Sequence, residues 1–513
     1  MLNQYPQGPK AAPKISRALA PLRTTWALGI SALALAGCGG SSGDATQPPP
    51  PPSNLAAPSN FTVSNLGTFG WNATPGATRY ELYVDPDGAG PLKEAKPDDL
   101  NQASGTGFTY SQAGTQGFWG SLYATASSLA TTLNSTYRLR ACDATGCGAF
   151  TDSKAYDIAN GISYEFASGR VALKSSLGSD AGPRLSQDAL TLAISSPSAN
   201  AADSVVYVFT RANSAQLWQQ QAVLGNGKAQ FGGQVALSAD GGTLAVLASE
   251  TTGGNGSATK GVVYLYQRSG SAWNLQGQVE APSAPATCTL PCRTSFASLL
   301  TLSSDGGLLA ASVGYSTASG VGSTSIGAVA TYTRTAGAWT PQALMESGGK
   351  FVSSLALSGD GSTLAVNEDG WRLGDLRTAT TPAVRIFVQQ GNGNWTQQAR
   401  LPAGLVSITD TTGLVYSNLA LSSDGSTLAV HASNVPGHPT SELDIKPSDL
   451  TCPGLAEDGW YIGLYKRTGS TWQRRLVASR GLSGPWALAP DGTNLFYGNS
   501  LFNYIWVYAW LCP

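Results

Sequence analysis

One short sentence recurs along this chain and limits what it can fold into. Residues 235–246 read VALSADGGTLAV, 300–311 LTLSSDGGLLAA, 355–366 LALSGDGSTLAV and 419–430 LALSSDGSTLAV. Looser copies are RLSQDALTLAI at 184–194 and WALAPDGTNLFY at 486–497. The aspartates at the centre, Asp188, Asp240, Asp305, Asp360, Asp424 and Asp491, follow one another at 52, 65, 55, 64 and 67 residues. Repetition on this scale implies stacked or ring-like units, none of which can bury its apolar face alone.

The physics of one unit can be read from its residues. VALSADGGTLAV is two apolar strands around a D-G turn, where Asp stabilises the bend and Gly supplies backbone freedom. TLAV is almost continuously apolar, which suits a strand buried on both faces. After a variable connection come GVVYLYQR, which alternates in part, and WNLQGQV, with one Trp among polar residues. The other units repeat the pattern in VVYVFTRANSAQLWQQQ, GAVATYTRTAGAWTPQA, AVRIFVQQGNGNWTQQA and WYIGLYKRTGSTWQRRL. Four strands grading from buried to half-exposed are what a radial blade requires, so the chain is all-β and its repeats form a β-propeller. The sixth unit ends before a fourth, Trp-bearing strand, and residues 170–175 are expected to complete it as a clasp. The alternative is a seven-bladed ring with a degenerate blade within 158–183.

The units over 165–513 resemble the FG-GAP, or integrin-α-like, propellers, with FGGQVALSADGGTLAV and KGVVYLYQRSGSAWNLQ as the nearest copy. Lactonase-like and TolB-like propellers carry similar D-G hairpins. Integrin-type repeats often hold Ca²⁺ in a D-x-D-x-D-G loop, but each hairpin here offers one Asp, so no metal is carried over from that resemblance.

Residues 1–37 read as an export signal. Lys10, Lys14, Arg17 and Arg23 precede the apolar run TTWALGISALALAG, which is too short to span a membrane stably. The run ends in Leu35-Ala36-Gly37-Cys38, which resembles the bacterial lipobox and implies acylation of Cys38. The other reading is an ordinary signal peptide beside an unrelated Cys. A multiply acylated Cys anchors a protein stably, and Gly39 in place of Asp resembles the default outer-membrane sorting signal. Residues 38–57 form a Gly/Ser/Pro-rich linker with prolines from Pro48 to Pro52, partly extended as polyproline II.

Beyond Cys38, six cysteines remain, an even number suited to disulfides in an oxidising compartment. Cys142 with Cys147 and Cys288 with Cys292 are spaced for local bridges, and Cys452 with Cys512 follows by elimination. Metal binding is the alternative for the short spacings, although neither is C-x-x-C and no His lies near.

Residues 58–157 carry short strands between turn clusters. TFGWNATPGATRYELYVDPDG, with Trp71 and alternating Tyr80, Leu82 and Val84, and LNSTYRLRACDATGCGAF together resemble a fibronectin type III domain. That resemblance puts Trp71 in the core and Leu133 with Tyr137 at the tyrosine corner.

The charge balance of 30 Lys plus Arg against 31 Asp plus Glu gives no field to gather nucleic acid. The chain has two His, His431 and His438, which disfavours a His-based triad or multi-His zinc site. With Glu442, Asp444 and Asp449 they offer a loop metal site, weighed against a solvated polar loop. Arg211, Arg268, Arg334 and Arg467 recur at one place in their units and are expected to point apart around the ring. The connections 249–260, 312–326, 367–382 and 431–459 should emerge on one face, where long loops on a rigid scaffold carry binding. Trp371, Arg372, Arg377, His438, Glu442 and Asp444 are the candidate ligand contacts. The expectation is a monomeric, non-enzymatic, cofactor-free lipoprotein of the outer membrane, periplasmic or surface-exposed, that binds a protein or carbohydrate. The competing class is an extracellular hydrolase or lyase acting on polysaccharide, with paired carboxylates on the axis.

Overall fold

Each copy of the repeated sentence is a hairpin wired by its own side chains. In the second copy, Ser238 Oγ donates to Asp240 Oδ1 at 2.5 Å, and Gly242 N–H donates to the same oxygen at 2.8 Å. Thr243 N–H then returns to Ser238 Oγ at 2.8 Å. The serine–aspartate bond recurs at Ser186, Ser303, Ser358 and Ser422. The strands that follow are as apolar as their sequence: Leu244, Ala245 and Val246 are fully buried, as are Leu364, Ala365 and Val366. The computed structural model describes residues 54–63, 69–85, 93–94, 130, 133–155, 157–166, 168–172, 183–252, 258–285, 288, 292–317, 325–347, 351–369, 383–391, 393–402, 415–433, 461–479, 486–499 and 504–509.

Five of the repeats are four-stranded antiparallel sheets whose spatial order follows the chain. The first holds Arg184–Leu185, Thr191–Ser196, Val205–Thr210 and Gln219–Leu224. The second holds Val235–Leu237, Thr243–Thr252, Ala258–Ser269 and Ala272–Glu280. The third has Cys292–Leu302, Leu308–Thr317, Ser325–Thr335 and Ala338–Glu346, and the fourth Phe351–Leu357, Thr363–Asp369, Ala383–Gln389 and Trp395–Pro402. The fifth comprises Val415–Leu421, Thr427–Ser433, Tyr461–Thr468 and Thr471–Ser479. The sixth has three strands among the described residues, Trp486–Leu488, Asn494–Asn499 and Tyr504–Ala509. The first strand of every sheet touches the first strand of the next, from first to sixth. This radial succession about one axis is a β-propeller.

The turns bond to one another as well. Gln187 N–H donates to Ala239 O, Asp240 N–H to Ser304 O, and Ser304 N–H to Gly359 O. Asp360 N–H continues to Ser423 O, and Ser423 N–H to Pro490 O. A chain of main-chain hydrogen bonds therefore runs from sheet to sheet at one end of the axis, satisfying groups that the tight turns would leave bare.

Closure differs from the expected clasp. Gly169–Ala172 pairs with Ser163–Phe166 in a separate two-stranded hairpin, and does not join the sixth sheet. The strand Gly169–Ala172 touches the sixth sheet's first strand. Ser168, at the hairpin's tip, sits beside the Asp491 carboxylate and accepts from Gln187 Nε2 at 3.3 Å. The hairpin thus stands between the sixth turn and the first. Counting strands by repeat placed 170–175 in the sixth sheet because SYEFASGRVA carries no copy of the repeated sentence that would mark Ser163–Phe166 as its partner.

Ahead of the ring, the two-stranded sheet Thr62–Val63 with Phe69–Gly70 shares a core with a sheet built on Arg79–Asp85 and Thr136–Cys142. Trp71, Tyr80, Leu82, Val84 and Tyr137 are buried there, and Phe69 meets Tyr137 edge-on at 5.0 Å. Cys142–Cys147 closes the hairpin that ends this sheet, and Cys288–Cys292 bridges the start of the third propeller sheet. Leu133 departs from its expected place. It packs with Ile158, Ala159, Leu192, Phe209 and Trp218, so it serves the first propeller sheet instead of the sandwich corner.

Candidate functional site

The first strands of the sheets surround an axial cavity of about 270 Å³. Its wall is a tier of leucines, among them Leu237, Leu302, Leu357, Leu421 and Leu488. At the turn end it is ringed by the residue that precedes the Asp of each turn: Gln187, Ala239, Ser304, Gly359, Ser423 and Pro490. All of them except Gln187 are small, as convergence on the axis requires. A Cβ on Gly359 would lie 2.5 Å from Ser304 Oγ and 3.1 Å from Ser423 Cα.

Two guanidinium groups stand in this wall, together with the polar side chains of Gln187, Thr301, Ser304 and Ser423. Arg184 comes from the first strand of the first sheet and donates through Nε to Val235 O at 2.7 Å. Arg170 comes from the closing hairpin, donates to Ser163 Oγ at 3.2 Å and pairs with Glu165 at 2.5 Å. No carboxylate is among the described residues that line the cavity. The sequence contained a signal for Arg184. In the alignment of repeats it occupies the place of Ala236, Thr301, Ala356, Ala420 and Ala487.

The recurrent arginines turn towards the preceding sheet. Arg268 Nη1 donates to Thr191 Oγ1 at 3.3 Å, and Arg467 Nη1 to Thr363 Oγ1 at 3.2 Å. Arg211 has the closing segment in place of a preceding sheet. It pairs with Asp157 at 3.0 Å and lies over Trp218 at 4.2 Å. These arginines tie sheets together and form no anion cluster.

Antiparallel order places the D-G turns at one end of the ring and the connections between second and third strands at the other. Two of those connections are less loop-like than expected. In the second sheet pairing runs on to Thr252↔Ala258, and in the third to Ser316↔Ser325, so both are extended hairpins. Lys260 bridges Glu280 at 2.7 Å there, and Lys228 lies 3.4 Å from Glu250. The Tyr264 hydroxyl donates to Glu250 and holds its carboxyl below the usual range, while burial, then Glu250, pushes the Tyr264 phenol up. This neutral, internally paired cluster is hairpin reinforcement.

His431 is not a loop ligand. It lies fully buried in the second strand of the fifth sheet, and its ring stacks on Trp486 at 6.2 Å. The other expected contacts, Trp371, Arg372, Arg377, His438, Glu442 and Asp444, lie outside the described residues, as do Cys38, Cys452, Cys512 and Asp449. Glu81 approaches Cys142 and Cys147 closely enough to suggest a metal cluster. The two sulfurs are joined to each other, however, and Glu81 is paired with Arg79 and Arg140 at 2.8 and 2.7 Å.

The chain matches no family model and no curated protein. Among solved structures it is similar to the periplasmic gluconolactonase PpgL of Pseudomonas aeruginosa, 15% identical over 73% of this chain and 87% of that one, with a TM-score of 0.38. The β-propeller domain of Cps50 (Swd1) from Myceliophteria thermophila is 12% identical over 65% and 97%, with a TM-score of 0.32. Likeness this distant transfers neither activity nor ligand. The propeller assignment rests on the chain's own sheet order and ring of contacts.

Proposed function

We propose that this protein is a lipid-anchored envelope protein that uses a six-bladed, FG-GAP-like propeller as a recognition module, with a fibronectin type III-like domain between anchor and ring. The observation that carries the reading is the asymmetry of the ring. One end is a network of short, mutually bonded turns, while the other bears the connections that vary in length. A scaffold rigid at one end and variable at the other suits binding through the variable end. The ligand class is a protein or a carbohydrate of the cell envelope.

The test uses the full chain in a pull-down from envelope extracts and on a glycan array. Replacing 368–380 by a short Gly-Ser linker should keep the melting temperature, since loop length costs little closure entropy, and should weaken binding at least tenfold. Retained binding there and after deletion of 436–449, but lost on removing 58–132, would reverse the roles of ring and spacer. Cys38→Ser should move the protein out of the membrane fraction. Unchanged fractionation would refute the lipid anchor while leaving the recognition reading intact.

A further inference from the structure

We propose that Cys142–Cys147 is a redox-active disulfide, exchanged with an external dithiol at Cys147 and resolved by Cys142. The proposal concerns the domain ahead of the ring and does not depend on what the propeller binds.

Three observations converge. The first is that the hairpin is held without the bridge. Cys142 and Cys147 face each other in the strand register, and Asp143 N–H donates to Gly146 O at 2.9 Å. The Asp143 carboxylate fixes the turn as well, accepting from Thr145 N–H at 2.7 Å, Thr145 Oγ1 at 2.6 Å and Gly146 N–H at 3.1 Å. A bridge across so short a loop removes little further chain entropy. The same restraints keep the two sulfurs opposed after reduction, so the pair is poised to close again. The second is asymmetry of access. Cys142 is fully buried, whereas Cys147 is partly exposed, close to the exposed Ala144 and Thr145 of the turn. An incoming thiolate therefore reaches Cys147 and not Cys142.

The third is charge. Arg79 Nη2 donates to Cys147 Sγ at 3.6 Å. A cation in contact with sulfur favours the thiolate, and stabilising the reduced form makes a disulfide easier to reduce. Glu81 opposes this, because its carboxylate lies within 4.8 Å of both sulfurs. Its charge is offset by Arg79 at 2.8 Å and Arg140 at 2.7 Å, so the direct contact from Arg79 decides at Cys147. Burial keeps Cys142 a thiol. The other bridge, Cys288–Cys292, has no cation donating to either sulfur among the described residues.

The exchange balances in two steps. A thiolate of the dithiol attacks Cys147 Sγ, the bond to Cys142 breaks, and Cys142 leaves with the electron pair and takes the proton of the donor's second thiol. That second sulfur then attacks the mixed disulfide, closes the donor's own bridge and releases Cys147 as the thiolate beside Arg79. Two electrons pass from the donor to the protein.

The experiment equilibrates the full chain with mixtures of reduced and oxidised dithiothreitol, traps thiols with iodoacetamide and reads each cysteine by peptide mass spectrometry. Cys288–Cys292 in the same chain is the reference. Cys142–Cys147 should be half reduced at a ratio of reduced to oxidised dithiothreitol roughly tenfold lower. Brief alkylation of the reduced chain should label Cys147 before Cys142, with a pH midpoint below the free-thiol value of about 8.5. Arg79→Gln should raise that midpoint by about one unit, and Arg79→Lys, which keeps the charge, should restore most of the shift. Equal half-reduction of the two bridges, labelling of Cys142 ahead of Cys147, or a midpoint unmoved by Arg79→Gln would overturn the inference and leave the bridge as a staple. Should Arg79→Gln fail to fold, the two comparisons within the unsubstituted chain decide the matter.

Discussion

The Ser-x-Asp-Gly-x-Thr turn explains residue by residue why the chain repeats itself. Ser and Asp wire the hairpin internally, while Gly and Thr join it to its neighbour. A Cβ on Gly306, whose φ is +62°, would lie 2.2 Å from Thr243 Oγ1 in the preceding sheet. Thr191, Thr363 and Thr427 meet Gly241, Gly425 and Gly492 in the same way. Gly306→Ala therefore carries a backbone cost of about 1–3 kcal/mol plus a clash between sheets. A loss of at least ~2 kcal/mol should appear in urea unfolding. The turn aspartates add a pH limit. The hydrogen bond from Ser303 leads in holding Asp305 below the usual carboxylate range; at Asp424 burial opposes, but the bonds from Ser422 and Ser426 prevail. A carboxylate depressed in the fold contributes stability above its unfolded value of about 4 and loses it as pH falls through the folded one. Melting temperature should thus hold from pH 7 to 5 and fall below about pH 4, and Asp305→Asn should flatten part of that fall. The turn itself was legible in sequence, whereas the reason for its small second residue was not, because that reason is convergence on an axis no local pattern reveals.

At the scale of elements, the outer strands hold the ring by a ladder hidden in plain sequence. The repeats read Trp218-x-x-Gln221, Trp273-x-x-Gln276, Trp339-x-x-Gln342 and Trp395-x-x-Gln398, followed by Trp472 with Arg475 in the Gln place. Trp273 Nε1 donates to Gln221 at 2.8 Å, Trp395 to Gln342 at 3.3 Å and Trp472 to Gln398 at 3.0 Å. These three Trp thus reach back to the Gln of the sheet before their own. Trp218, in the first sheet, has a buried Nε1 without an acceptor, and Asn134 instead clamps its main-chain N–H and C=O at 2.9 Å each. Composition alone showed only a Gln-rich fourth strand, because pairing between units cannot be read from one unit. Gln221→Met leaves the indole N–H of Trp273, 9% exposed, without its acceptor, and should cost about 1–2 kcal/mol. Gln276→Met, where the corresponding bond from Trp339 is not made, should cost less than half as much. Equal losses in the two variants would show that the ladder contributes packing and no directed bond.

For the whole molecule the open question is what closes the ring, and the structure gives the sandwich and its connecting segment a part that the strand count had assigned to residues 170–175. Between the sixth and first sheets stand the hairpin Ser163–Ala172 and the short helix Ile158–Ile162, with Leu133 and Asn134 reaching in from the sandwich. The Arg211 side chain is 3% exposed and depends on Asp157, which is 28% exposed and also caps the helix by accepting from Ala159 N–H at 3.1 Å. Asp157→Asn preserves a good cap but leaves a nearly buried guanidinium without its counter-charge. Breaking one side of a fully buried pair costs about 3–5 kcal/mol, and the water still reaching Asp157 reduces that to about 2–3 kcal/mol. The loss should be local. In hydrogen exchange the amides of 191–224 should open first, while those of the third and fourth sheets, remote from the closure, keep their protection. Were the ring closed only by a fourth strand on the sixth sheet, Asp157→Asn would leave 191–224 as protected as before, and the sandwich would be a passive spacer. A selective opening of the first sheet would instead make residues 133–172 part of the ring and explain why the propeller is built directly onto the domain that precedes it.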